Sequence, residues 1–311
     1  MGGGANVAAY VTNFILAVVA ALFMPASNAL IKERIAPARL GPFNANFEIA
    51  IQAGTLLSAA VGGFMVQLFG VRPLFVFNAV TFIASAACMY LLGRRPAYVP
   101  AAEADAAEAS AVAAGATPVR RPLARFALLY AVGNIVITLS NTLLVVVIIV
   151  TFQRQAGIVG VVDAMAGIGV IAAAVLYKRV STRVPNLRLV FVGYLASAAI
   201  IAVEPFNVWL LVALIPFSGM FFGLARISAR TMLMSAVEES RAGRVFGATQ
   251  ALGLGLSAIL TVLISRLADQ TRVSYAFFAL AAVVAAIVTV GVLLLRTPVV
   301  RQPAPVLEPA A

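Results

Sequence analysis

The 311-residue sequence contains no histidine and a single cysteine, Cys88, which sits inside an apolar run. A lone thiol makes no intrachain disulfide, and without imidazole there is no Ser-His or Cys-His catalytic pair and no imidazole metal centre. Neither a metal nor a cofactor is expected, and the chain does not read as an enzyme. Charge is scarce too, with Asp, Glu, Lys and Arg together making up 11% of the residues. No GxxxxGK loop followed by Ser or Thr occurs, so the pattern that cradles a nucleotide phosphate is missing.

What is present in excess is apolar surface. Hydrophobic residues make up 63% of the chain and the mean hydropathy is +1.04, whereas ordinary soluble domains hold about 45–50% apolar residues. Each membrane-spanning helix needs about 20 mostly apolar positions. Nine such runs can be read, at approximately 7–31, 45–69, 73–93, 126–152, 157–177, 189–205, 208–230, 245–265 and 273–295. The expected fold is an all-α integral membrane protein. Its first run has no preceding Lys or Arg and is long enough to span, so it reads as a retained helix rather than a cleaved signal.

The formal charge of +11 reports orientation, not a nucleic-acid partner, because the basic residues sit between apolar runs instead of on a solvated face. With nine spans, 18 of the 22 Lys and Arg fall toward one side, and only Arg72, Arg154, Arg266 and Arg272 fall on the other. Basic loops stay in the cytoplasm, which places the N-terminus outside and the C-terminus inside. The longest polar stretch, 94–125, is rich in Ala, Pro and Arg and lacks an apolar face, so it is expected to be a cytoplasmic linker. It divides the chain into three helices (1–93), six helices (126–296) and a cytoplasmic tail (297–311).

The loops after the first and seventh spans match at an offset of 202 residues. Ile35, Arg39, Gly41 and Ala45 align with Val237, Arg241, Gly243 and Gly247, and Arg244 extends the second copy. Internal repeats of this kind build many transporters.

Several residues stand out as carriers of function. Asp163, about seven residues into the fifth span, is a charge placed where charges are expensive. It is either a coupling carboxylate, a counter-charge for a cationic group, or a side chain reaching back to the surface. Glu48, Gln52 and Thr55 recur at i, i+4 and i+7 and share one face of the second span; Glu48 either couples ions or caps the helix start. Asn134, Thr138 and Asn141 repeat that spacing in the fourth span and either contact a substrate or bond neighbouring helices. Arg226 and Arg230 lie toward the cytoplasmic end of the seventh, where they either hold an anionic group or reach the headgroups. Glu204 and Asp269 are the acids of the outer loops.

The segments SAVEESRAGRVFGATQALGLG (235–254) and FMPASNALIKERIAPARLGPFNANFEIAIQAG (23–54) resemble the loop-and-helix elements of the major facilitator superfamily, in particular its bacterial exporter branch of drug and siderophore efflux proteins. The resemblance implies a helical-bundle carrier of the inner membrane that moves a small molecule outward by alternating access. It also implies that the nine spans correspond to the family's helices four to twelve. The antiporter motif gxxxGPxxGG of helix five is matched by Gly54, Gly62 and Gly63, with Ser58 and Ala59 replacing its Gly-Pro. Small residues there allow close helix packing. Three helices facing six leave one half short, so the chain is expected to pair with a complementing fragment, to dimerise, or to be an N-terminally truncated product, and by itself to support little or no counterflow.

The topology has a direct check. A cysteine introduced at Ser110 should react with an impermeant thiol reagent only from the cytoplasmic side, and labelling of intact cells at that site would reverse the orientation.

Overall fold

A computed structural model describes residues 3–69, 71–94 and 123–296. Most of the expected linker and the whole 297–311 tail lie outside the described residues. Every apolar run is helical: α1 (Gly3–Arg34), α2 (Leu40–Phe69), α3 (Val71–Gly93), α4 (Leu123–Val146), α5 (Ala156–Val180), α6 (Asn186–Val203), α7 (Val208–Ala236), α8 (Ala242–Gln270) and α9 (Val273–Arg296). There is no strand among the described residues. Eight of the described segments are long and apolar enough to cross a membrane; α2 carries the polar stripe in its first half.

Several helices outrun the apolar stretches that announced them. The fourth helix starts at Leu123, before the expected 126, and Arg125 is part of it, donating to the Leu294 carbonyl of α9. It ends in one π-helical turn, Val147–Thr151, after which Gln153 takes the chain through φ 49°. The seventh helix continues to Ala236 instead of stopping near 230. Its start is set by Asn207, whose side-chain oxygen accepts the Trp209 backbone N–H at 2.8 Å, satisfying one of the free donors of a helix start.

Contacts between helix ends define two ends of the bundle. Arg34 donates to the Gly93 carbonyl, Lys178 donates to the Asn46 side chain at 2.6 Å, and Arg125 reaches α9 as above. These tie together the ends that carry most of the basic residues, hereafter the basic end. At the opposite end Trp209, Phe206 and Tyr275 are exposed, and Phe206 and Tyr275 both meet the ring of Phe278. Amphipathic rings suit a membrane–water boundary.

Helices α4 to α9 form one cluster, with α7 packed between α5 and α6, α8 beside α4, and α9 against α6 and α4. Glycines bring the backbones together. A Cβ on Gly169 would strike the Pro216 carbonyl oxygen, one on Gly219 the Ala166 carbonyl oxygen, and one on Gly193 would lie 2.6 Å from the Phe221 oxygen. Without a hydrophobic drive between helices in lipid, such close contact is what holds them.

The two chain segments related by the 202-residue offset adopt the same conformation. Pro37–Arg39 and Glu239–Arg241 are both single 3-10 turns, followed at once by helices starting at Leu40 and Ala242. The related helices cross-pair: α1 packs on α8 and α2 on α7. Equivalent positions meet across the interface, as Arg230 donates to the Asn28 side chain, 202 residues away. A pseudo-two-fold relation requires such self-complementary contacts.

Overpacking costs about 1–3 kcal/mol where side chains can adjust. Gly169→Val, which meets backbone, should sit at the top of that range, about 3 kcal/mol. Gly160→Ala, with nothing within 4 Å, should be neutral or stabilising. Unfolding in graded SDS would distinguish the two.

Candidate functional site

The polar stripe of α2 is turned toward α7. Helix α2 begins at Leu40, so Glu48 lies two turns inside it and does not cap its start. The carboxylate is only 2% exposed, and its Oε1 accepts the Arg226 Nη1 at 3.1 Å and, more weakly, the Gln52 Nε2 at 3.4 Å. Space for the guanidinium stem comes from Gly133 of α4, where a Cβ would lie 3.7 Å from Arg226 Cγ. Arg230, one turn on, stacks over the Phe47 ring at 4.2 Å while bonding Asn28. Asn44 completes the set by donating to Thr231 Oγ1 at 3.0 Å. Both arginines are therefore bonded inside the bundle, and α7 continues past them to Ala236.

These contacts run across the basic half of the molecule between α1, α2 and α7. On their other side opens a cavity of about 580 Å³, lined by α2, α4, α5, α6 and α7. Gln52, Thr55, Asn141 and Asp163, expected on three separate helices, all reach its wall. Most of the remaining lining is apolar or small, including Val136, Ile137, Leu144, Ile215, Phe222 and Gly219. Such a volume, mainly apolar with a few convergent polar groups, is typical of small-molecule chambers.

Sequence polarity places Glu204 in an outer loop. It stands instead in a single 3-10 turn, Glu204–Phe206, is 1% exposed, and lines the cavity. The sequence held one signal: only a few residues separate two apolar runs there, too few to carry a side chain clear of the bundle.

The family model described as Major Facilitator Superfamily matches residues 3–260. The chain belongs to the Major Facilitator Superfamily. It is a multi-pass membrane protein of a family of transporters. Among curated proteins it is similar to the multidrug resistance protein MdtG of Proteus mirabilis (strain HI4320), with 24% identity over 235 residues that cover 74% of this chain and 58% of MdtG. The chain thus spans a little over half the length of that relative.

Other expected residues lie away from the cavity in this superfamily member. Asn134 donates to Gln250 of α8 at 3.1 Å, beside Gly253. The Thr138 carbonyl accepts the Thr142 hydroxyl. In the glycine motif, a Cβ added at Gly54 would meet nothing within 4 Å, Ser58 bonds the Thr55 carbonyl, and the surroundings of Gly62 and Gly63 lie outside the described residues. Arg39 and Arg244 are exposed, Arg241 pairs loosely with Glu238 at 3.5 Å, and Gly243 faces Ala29 of α1 at 3.9 Å.

Removing one partner of a buried ion pair strands the other, at about 3–5 kcal/mol. Arg226 keeps slight solvent contact, so Glu48→Ala should cost about 3 kcal/mol. Glu48→Leu combined with Arg226→Met should recover most of that loss, as a double-mutant cycle of unfolding would reveal.

Proposed function

We propose that the chain is a secondary carrier that exports a small molecule by alternating access, in a bacterial inner membrane with the basic end in the cytoplasm. The cavity that lies beyond the Glu48–Arg226 and Asn28–Arg230 contacts, on the side away from the basic end, is the observation that carries this reading. A chamber so placed fits one of the two states such a carrier visits. Opening the other way requires these contacts to part, and the cross-paired repeat provides matched surfaces on which α1 and α2 can shift against α7 and α8. Resemblance to a multidrug resistance protein supports the outward direction. Energy would come from an ion gradient or from the substrate gradient itself.

A second reading, in which the chain works only with a complementing fragment or a second copy, is supported by α3. From Val76 to Gly93 it presents no buried side chain and packs on α2 along one side. The weak counterflow expected of the isolated chain belongs to this reading.

Alternating access can be tested without knowing the substrate. Cys88 is the sole cysteine, so Cys88→Ser supplies a clean background. In it, Asn141→Cys should react readily with a water-soluble maleimide, whereas Ser27→Cys, 3% exposed in α1, should not. Adding the Glu48→Leu and Arg226→Met pair should raise labelling at residue 27 at least fivefold and lower it at residue 141. Unchanged rates at both positions would refute the two-state carrier.

A further inference from the structure

The contacts between α1, α2 and α7 hold more positive charge than negative. Two guanidinium groups, those of Arg226 and Arg230, are set into them against one carboxylate, Glu48, and that carboxylate is bonded to Arg226 at 3.1 Å. Arg230 is the more deeply buried of the two, 4% exposed, yet the groups it touches are neutral: the Asn28 amide oxygen and the face of the Phe47 ring. Besides Glu48, the titratable groups that act on it are Tyr130, a phenol, and Arg226, of its own sign. Its Nε has no hydrogen-bond partner, and neither has the hydroxyl of Ser27, the residue before Asn28, which is 3% exposed. Asn44 Oδ1 is open as well, although its amide nitrogen bonds Thr231. Arg230 takes no part in lining the chamber, so this surplus charge belongs to a separate place in the bundle.

A guanidinium does not lose its proton in a protein, so on burial it must be given a counter-charge. An aromatic face and an amide oxygen orient it and lessen the cost, but they leave the charge in place. Arg226, one turn away on the same helix, shows the balanced arrangement. Water would satisfy the open Nε and the open hydroxyl and suits the open Asn44 oxygen, yet it brings no charge. We propose that Arg230 holds a small inorganic anion of the halide class, received by its Nε–H at the junction of α1, α2 and α7, with the Ser27 hydroxyl as the second unused donor there. At 4% exposure a lipid phosphate or an organic acid has no approach to the guanidinium, which restricts the ligand to an ion of about the size of chloride. Asn28, Phe47 and Arg230 belong to three different helices, so the anion fastens α1 and α2 onto α7. Halide concentration then sets how firmly this junction stays shut, by mass action.

The test places the full 311-residue chain in nanodiscs of neutral phosphatidylcholine, with sodium chloride, sodium bromide or sodium gluconate at one ionic strength. Gluconate is too large for the site. Chloride and bromide should each raise the unfolding temperature by about 3 °C over gluconate. The chlorine-35 resonance should broaden in the presence of the protein and sharpen again as bromide competes. Arg230→Met should abolish both effects, whereas an arginine that serves only to join helices would lose stability on that change equally in every salt. Asn28→Asp puts a carboxylate where the amide oxygen now meets Arg230, so that the chain carries its own counter-ion. It should be as stable in gluconate as the wild type is in chloride, and should no longer respond to halide. Equal wild-type stability in chloride and gluconate, or a halide response that survives either substitution, would overturn the proposal. Should Arg230→Met fail to fold, the wild-type halide response and Asn28→Asp, which changes charge with almost no change in volume, still decide it.

Discussion

A guanidinium in the middle of a helix bundle must find an anion or another acceptor, because the surrounding hydrocarbon offers no water to solvate it. That requirement organises the basic half of this protein. Arg226 is met by Glu48, Glu48 is steadied by Gln52, and the next turn of α7 brings Arg230 over Phe47 and onto Asn28. Since Glu48 and Asn28 belong to different helices from the arginines, satisfying the charges also fixes where α1 and α2 lie against α7. Burying such a pair gives little net stability. Its effect is on specificity, since any other register of these helices would leave a charge alone in a low-dielectric setting.

The internal repeat meets itself at this place. Positions 202 residues apart share their turn and helix start, and two of them, Asn28 and Arg230, are in direct contact. A residue that meets its own counterpart must be complementary to it. Here the amide oxygen accepts from the guanidinium, so a donor faces an acceptor.

Much of the molecule is legible in its sequence. Nine apolar runs correspond to nine helices among the described residues, because length and composition suffice where every backbone group must bond within its own segment. Gln52, Thr55, Asn141 and Asp163 are identifiable since a polar residue on an apolar helix has few places to point. Their convergence on one cavity is not, because it depends on how five helices are rotated against one another. The partner of Arg226 is invisible for the same reason: Glu48 is 178 residues away. The depth of the arginines is also hidden, since apolar runs end at the first charge whereas α7 continues to Ala236. Glu204 looks like a loop residue because helix ends are read from polarity, and a 3-10 turn can close a helix without surfacing.

Finally, the contact of Gly169 with the Pro216 carbonyl and of Gly219 with the Ala166 carbonyl separates two kinds of seam. Backbone keyed into backbone cannot slide without rising over the next residue, so α5 and α7 behave as one solid piece. The seam between α1–α2 and that piece is instead stitched by amides, a carboxylate, an ammonium and guanidinium groups, long side chains that can swing while the backbones move. Any shear in this protein therefore runs along the polar stitches rather than through the glycine-locked core.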